Sequence, residues 1–230
     1  MLDDLKKQVC DANLALRAEG LAAGTWGNVS GIDRKSGLVV IKASGIPIEQ
    51  MQPHQMVVVR LADGKVVEGE LKPSTDTPTH LELYRAFSRI GGVAHTHSLH
   101  ATAWAQAGRE IPVLGTTHAD GFHGPIPCTR RMTGQEIDGD YEAGTGKLIV
   151  ERFAHLDPMV VPAVLVASHG PFAWGVSAGH AVEHAAALEH VAMMASATVS
   201  IEPYTKPISR ELLDKHYYRK HGPGRYSGQE

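Results

Sequence analysis

Gly91-Gly92-Val93-Ala94-His95-Thr96-His97-Ser98 is the stretch from which the chain is best read. A glycine pair leads into a short apolar run that ends on two histidines two residues apart. Read as a strand, the run puts His95 and His97 on one face, because side chains alternate with a period of two. Two imidazoles on one face of a rigid element can share a metal ion.

The flanking sequence supplies neighbours for that strand. Upstream, residues 27–33 and 37–42 read as a hairpin, and residues 55–61 and 65–69 as a second one closed by an Asp63-Gly64 turn. Leu2, Leu5, Val9, Ala12 and Leu16 form one apolar stripe of an amphipathic helix before them. Between the second hairpin and the histidine strand, a helix from about Pro78 to Phe87 starts on a proline in its first turn. Downstream, Ser98 caps a helix through Gln106, and residues 111–131 read as loops and short strands. Residues 160–168 form an apolar strand that ends at His169-Gly170-Pro171 and resumes over residues 172–175. Ser177 then caps a long alanine-rich helix to about Ser200, and a short helix with Leu212, Leu213 and Tyr217 precedes a basic, glycine-rich tail. Strands joined mainly by hairpins, without regular β-α-β alternation, predict an α/β fold with a mostly antiparallel central sheet covered on both faces by helices.

Composition narrows the function. The chain has 230 residues, 43% apolar and 20% charged, with net charge −3. One domain over 1–230 is expected. The charge does not suit a nucleic-acid binder, and no window is apolar enough to span a bilayer. Cys10 and Cys128 lie far apart and outside any C-x-x-C pattern, and the charged N-terminus lacks a signal-peptide core; both favour the cytoplasm. Asn28-Val29-Ser30 matches a glycosylation acceptor, which that location discounts. The distinctive count is 14 histidines.

A metal site built on His95 and His97 needs a further ligand from elsewhere. His169, at the end of an apolar strand, is the strongest candidate, and Asp76, at a helix start, is the strongest carboxylate. His180-Ala181-Val182-Glu183-His184 matches a metallopeptidase pattern but has no evident third ligand, and reads as a packed helix. Three segments can hold an anion through backbone N–H groups and hydroxyls: Gly27-Asn28, Ser44-Gly45 after Lys42, and Ser74-Thr75 after Lys72. None is a P-loop. Asp120, in Gly115-Thr116-Thr117-His118-Ala119-Asp120-Gly121, is a possible proton carrier on a loop.

In this order, Thr25–Ser30, Ile41–Gly45, Lys72–His80, Gly91–His97, Gly115–Asp120, Ser168–Gly175 and Leu213–Tyr217 resemble the class II aldolase/adducin family over nearly the whole chain. The Gly115–Asp120 and Leu213–Tyr217 segments are similar to its branch of pentulose-5-phosphate 4-epimerases. The resemblance implies the three-layer fold of class II aldolases. It implies Zn2+ (or Mn2+) at His95, His97 and His169 with Asp76 close by. It places substrate phosphate against Asn28, Ser44, Gly45, Ser74 and Thr75, with Gly27 and Lys42 nearby. It implies a cyclic homotetramer in which the tail, about residues 205–230, completes a neighbouring subunit's site. Activity would interconvert L-ribulose 5-phosphate and D-xylulose 5-phosphate, with Asp120 and a C-terminal tyrosine as proton carriers. Here the chain departs from the pattern: Ser227 stands at the aligned tyrosine, leaving Tyr226. The rival readings are a ketose-1-phosphate aldolase of the fuculose type and a non-catalytic adducin-like module, the latter expected to lack the metal ligands.

Overall fold

In the computed structural model, residues 2–222 are described. Tyr226, expected above as a proton carrier, and the alignment point at Ser227 lie outside them. In chain order the elements are helix α1 (Asp3–Ala18), strands β1 (Asn28–Asp33), β2 (Leu38–Ile41), β3 (Val57–Arg60) and β4 (Val66–Glu68), helix α2 (Thr77–Ala86), strand β5 (Gly92–His95), helices α3 (Leu99–Ala107), α4 (Thr116–Gly121), α5 (Gly134–Asp138) and α6 (Tyr141–Arg152), strands β6 (Ala163–Leu165) and β7 (Pro171–Gly175), and helices α7 (Ala178–Ile201) and α8 (Arg210–His221). The strands form one sheet in the order β4-β3-β2-β1-β5-β7-β6. Every neighbouring pair is antiparallel.

The two sheet faces follow directly from strand alternation. Val29, Val40, Val58 and Ala94 point to the layer of α1, α3 and α7. Val39, Val57, Val59 and Val93 point to the layer of α2 and α6. The strands are rich in valine on both faces because both faces are covered. Among the described residues, no helix is long and apolar enough to cross a membrane.

Gly91 and Gly92 are required by packing. A Cβ on Gly91 would lie 2.1 Å from the Val176 carbonyl oxygen, and one on Gly92 would lie 2.4 Å from the Ala178 nitrogen. The start of α7 therefore presses directly on the entry to β5, and only glycine permits that approach.

Two sequence expectations are corrected. Residues 160–175 are a hairpin, not one interrupted strand: β6 pairs antiparallel with β7, and Ser168 sits at φ 63° where the chain reverses. The turn closes through Val166 N–H to the Gly170 carbonyl at 2.9 Å. Residues 111–131 contain only isolated bridges plus α4, so Asp120 lies on a helix and not on a loop. The chain 134–152 adds α5 and α6. Thr133 and Glu136 form a capping box at the first, and the Asp140 side chain caps the second.

Candidate active site

The site forms at the ends of β1, β5 and β7. Strand β5 ends on His95, and the chain leaves the sheet before His97, so the two rings lie close without sharing a ladder. Their centroids are 4.9 Å apart, and the Nε2 atoms 3.1 Å apart. The turn after β6 brings His169 to 4.8 Å from His95 and 5.2 Å from His97, ring to ring. One ring nitrogen from each of the three lies within 4.8 Å of the others. Among the described residues this is the only group of three or more metal-binding side chains so gathered.

The chemistry of these donors fits a divalent cation. His95 Nδ1–H donates to the Pro171 carbonyl at 2.9 Å, which leaves the Nε2 lone pair facing the other two rings. Its ring stacks on Phe172 at 4.1 Å and 16°. Burial pushes the His95 imidazole down to about 3, so it stays neutral. Burial also lowers His169, with His97 adding to the effect and Asp76 opposing it. Neutral, convergent imidazoles suit zinc or a similar borderline cation.

Asp76 occupies the N-cap position of α2 without a side-chain capping bond, and its carboxylate accepts from Asn28 Nδ2 at 2.6 Å. Burial alone would raise its carboxyl. The His95 and His80 rings and the Asn28 hydrogen bond outweigh that, and the group ends below its ordinary value. The Asn28 Oδ1 atom is buried without a partner among the described residues, an acceptor facing unmet demand.

One cavity of about 270 Å³ is lined by all three imidazoles, Asp76, Gly27, Asn28, Lys42, Ser44, Gly45, Ser74 and Thr75. Each of these sequence candidates thus reaches the same space from a separate loop or strand end. Ser44 N–H donates to the Lys72 carbonyl and Ser74 N–H to the Lys42 carbonyl, both at 2.9 Å, which clamps two of the candidate anion-binding segments side by side. Lys42 is buried, its Nζ donating to the Thr25 carbonyl at 2.9 Å, and burial lowers its pKa. Gly45 takes φ 76° and exposes backbone at the cavity wall.

Asp120 is not part of this lining. It sits on α4 against α8, accepting from His216 Nδ1 at 3.0 Å and Arg219 Nη2 at 3.2 Å, while His221 Nε2–H donates to its carbonyl. The His180–His184 pair gathers no third ligand. His180 Nδ1 meets Ser177, and His184 Nδ1–H donates to the Trp174 carbonyl.

Two neighbours of the site escaped the sequence reading. Trp26 lines the cavity with its ring 6.5 Å from His97. Tyr141, at the first position of α6, has its ring 6.1 Å and its hydroxyl 3.5 Å from His169. No local pattern marks Tyr141, since only the packing of α6 on α2 brings it there. Trp26 stands in a motif already singled out, and its exposed loop position next to Gly27 was the available signal.

Fold and site together define a class of enzyme, and sequence comparison identifies it: the chain belongs to the class II aldolase family, matching the Class II Aldolase and Adducin N-terminal domain over residues 7–196. It is 54% identical over 229 residues, covering both chains in full, to L-ribulose-5-phosphate 4-epimerase UlaF of Salmonella paratyphi B (strain ATCC BAA-1250 / SPB7) and equally to that of Salmonella typhi. In fold it is similar to an L-fuculose 1-phosphate aldolase, with TM-score 0.80 at 23% identity over 95% of this chain and 96% of the other. The L-fuculose-1-phosphate aldolase of Thermus thermophilus gives TM-score 0.69 at 20% identity over 89% and 100%.

Proposed function

We propose that this chain is an L-ribulose-5-phosphate 4-epimerase, interconverting L-ribulose 5-phosphate and D-xylulose 5-phosphate by opening and re-forming the C3–C4 bond. One observation carries the reading: three convergent imidazoles and a set of anion-binding candidates share one cavity. The full-length likeness to the Salmonella epimerases supports the choice of substrate.

The C4 proton is not acidic, because C4 is not adjacent to the C2 carbonyl. Cleavage avoids that obstacle. The C4 hydroxyl loses its proton, the C3–C4 bond breaks, its electron pair passes to C3, and C4 becomes an aldehyde. The aldehyde turns its other face, C3 attacks again, and the new C4 oxygen takes back a proton. His95, His97 and His169, with Asp76 beside them, would hold one Zn2+, and the same donors accept Mn2+. When bound, the cation supplies Lewis-acid stabilisation of negative charge on the C2 and C3 oxygens. Ser44, Gly45, Ser74 and Thr75 hold the phosphate through hydroxyl and backbone N–H donors, with Asn28 completing the cradle and Gly27 and Lys42 alongside. These local donors are needed because the chain is net negative.

Inversion requires proton carriers on both sides of the aldehyde. Asp120 serves one and Tyr226 the other. Asp120 is tied to α8, the helix that leads into the tail, and lies away from its own chain's cavity. We therefore assign both carriers to a neighbour's cavity within a homotetramer. Free Cys10 and Cys128 suit a reducing cytoplasm.

The test is incubation of the metal-loaded protein with L-ribulose 5-phosphate. Formation of D-xylulose 5-phosphate is expected. Net release of aldehyde instead would assign the chain to the aldolases of its family.

A further inference from the structure

We propose that Trp26 binds the carbon chain of the sugar phosphate and retains its phosphorylated two-carbon fragment while that fragment turns. The inference rests on the epimerase reading above. Trp26 is 67% exposed, whereas Trp104 and Trp174 are 6% and 0% exposed. A solitary exposed indole needs no explanation by itself. Its position gives it meaning: among the described residues it is the one large apolar side chain lining a cavity whose other walls are polar or glycine.

The two ends of the substrate have polar partners in that cavity. The phosphate end meets Ser44 and Ser74, and the ketose end meets the imidazoles. The carbon chain between them presents C–H groups, which an aromatic face matches well. The indole ring lies 6.5 Å from the His97 ring, and the next two residues, Gly27 and Asn28, line the same cavity as Ser44 and Ser74, so Trp26 stands between the two ends. Its backbone is fixed for the task. Trp26 N–H donates to the Ala23 carbonyl at 3.0 Å, and Gly27 takes φ 80° with a would-be Cβ 3.2 Å from both Ala22 and the His95 carbonyl. Residue 27 is thus pinned against β5, and residue 26 is held out over the opening.

The reaction explains why such a wall is needed. Once C3–C4 opens, glycolaldehyde phosphate is attached through its phosphate alone. If it leaves and C3 is protonated, the products are glycolaldehyde phosphate and dihydroxyacetone, a balanced net cleavage. An indole over the fragment excludes water and slows escape. Trp26 thereby sets the partition between epimerisation and cleavage.

The experiment compares the metal-loaded wild type with Trp26→Ala and Trp26→Phe. D-xylulose 5-phosphate and released dihydroxyacetone are measured from L-ribulose 5-phosphate. Trp26→Ala should raise the released fraction by about tenfold, and Trp26→Phe should restore most of the wild-type ratio. An unchanged ratio in Trp26→Ala, with the wild type epimerising, overturns the inference. A second arm needs no turnover: tryptophan emission is titrated with glycolaldehyde phosphate. A saturable shift that disappears in Trp26→Phe supports the contact, and no shift in the wild type overturns it. Absence of D-xylulose 5-phosphate from the wild type strikes the epimerase reading instead, and the emission arm then decides Trp26 on its own.

Discussion

His95 illustrates how one side chain is prepared before any ligand arrives. Its Nδ1–H is committed to the Pro171 carbonyl, its face to Phe172, and its charge state to neutrality by burial. What remains is a single lone pair, 3.1 Å from His97 Nε2. His97 is the exposed member of the three and packs little, so it can be changed without opening the core. His97→Asn should lose stoichiometric metal while its circular dichroism spectrum persists; retained metal would remove His97 from the ligand set. Ser74 gives a second residue-level expectation. It is buried in the cradle, and a hydrogen bond to a charged group contributes roughly 1.5–3 kcal/mol. Ser74→Ala should therefore raise KM for the sugar phosphate about tenfold or more with a smaller change in kcat. A kcat loss at constant KM would speak against phosphate binding there. These residues were legible in the sequence because His-x-His and hydroxyl-glycine segments carry chemistry in their composition. Tyr141 was not, because nothing in its own segment refers to His169.

Elements were legible where burial imposes a simple period. The valine-rich strands and the α1 stripe declare themselves, and both hairpins fall where their turns predict. Helices α4 and α6 did not. Residues 116–121 carry no apolar repeat, and α6 contains Gly144 and Gly146, which read as breakers. Gly146 is there for packing: a Cβ on it would lie 2.6 Å from Glu82 Cβ on α2. The same logic makes Gly91→Ala a test of the α7–β5 contact. Its added carbon would collide with backbone, not with a flexible side chain, and should cost about 3 kcal/mol or more, read as a lowered urea midpoint at constant slope. A shift near zero would show that α7 can move away. Helix α4 also carries a pH signature. Burial holds His118 at about 4, with Nε2–H donating to the Gly124 carbonyl. Between that value and its ordinary 6.5 the unfolded chain binds more protons, so stability is complete above pH 6.5 and falls as pH drops towards 4. The loss should approach about 1.4 kcal/mol per pH unit from this group. His118→Gln, which keeps a donor, should flatten the profile over that window, and an identical profile would relieve His118 of the role.

At the scale of the molecule, one chain gathers the three histidines and the proposed anion-binding residues in a single cavity but leaves Asp120 elsewhere, bound to α8. The three-layer fold could be read from the pattern of hairpins and helices. The separation of Asp120 from the histidines could not, since spacing in sequence says nothing of which face α4 occupies. If sites form between subunits, two dead variants can complement each other. Mixed tetramers of His97→Asn and Asp120→Asn should regain a substantial fraction of wild-type activity, because some boundaries then combine an intact cavity with an intact carrier. Activity no higher than either parent would place both functions within one subunit. The proposed epimerase chemistry depends on a divalent cation at His95, His97 and His169. Metal analysis of the purified protein, run beside the epimerase assay before and after chelation, tests this most directly. One divalent ion per chain is predicted, with activity lost on its removal and restored by zinc or manganese; undiminished epimerisation by metal-free protein would contradict it.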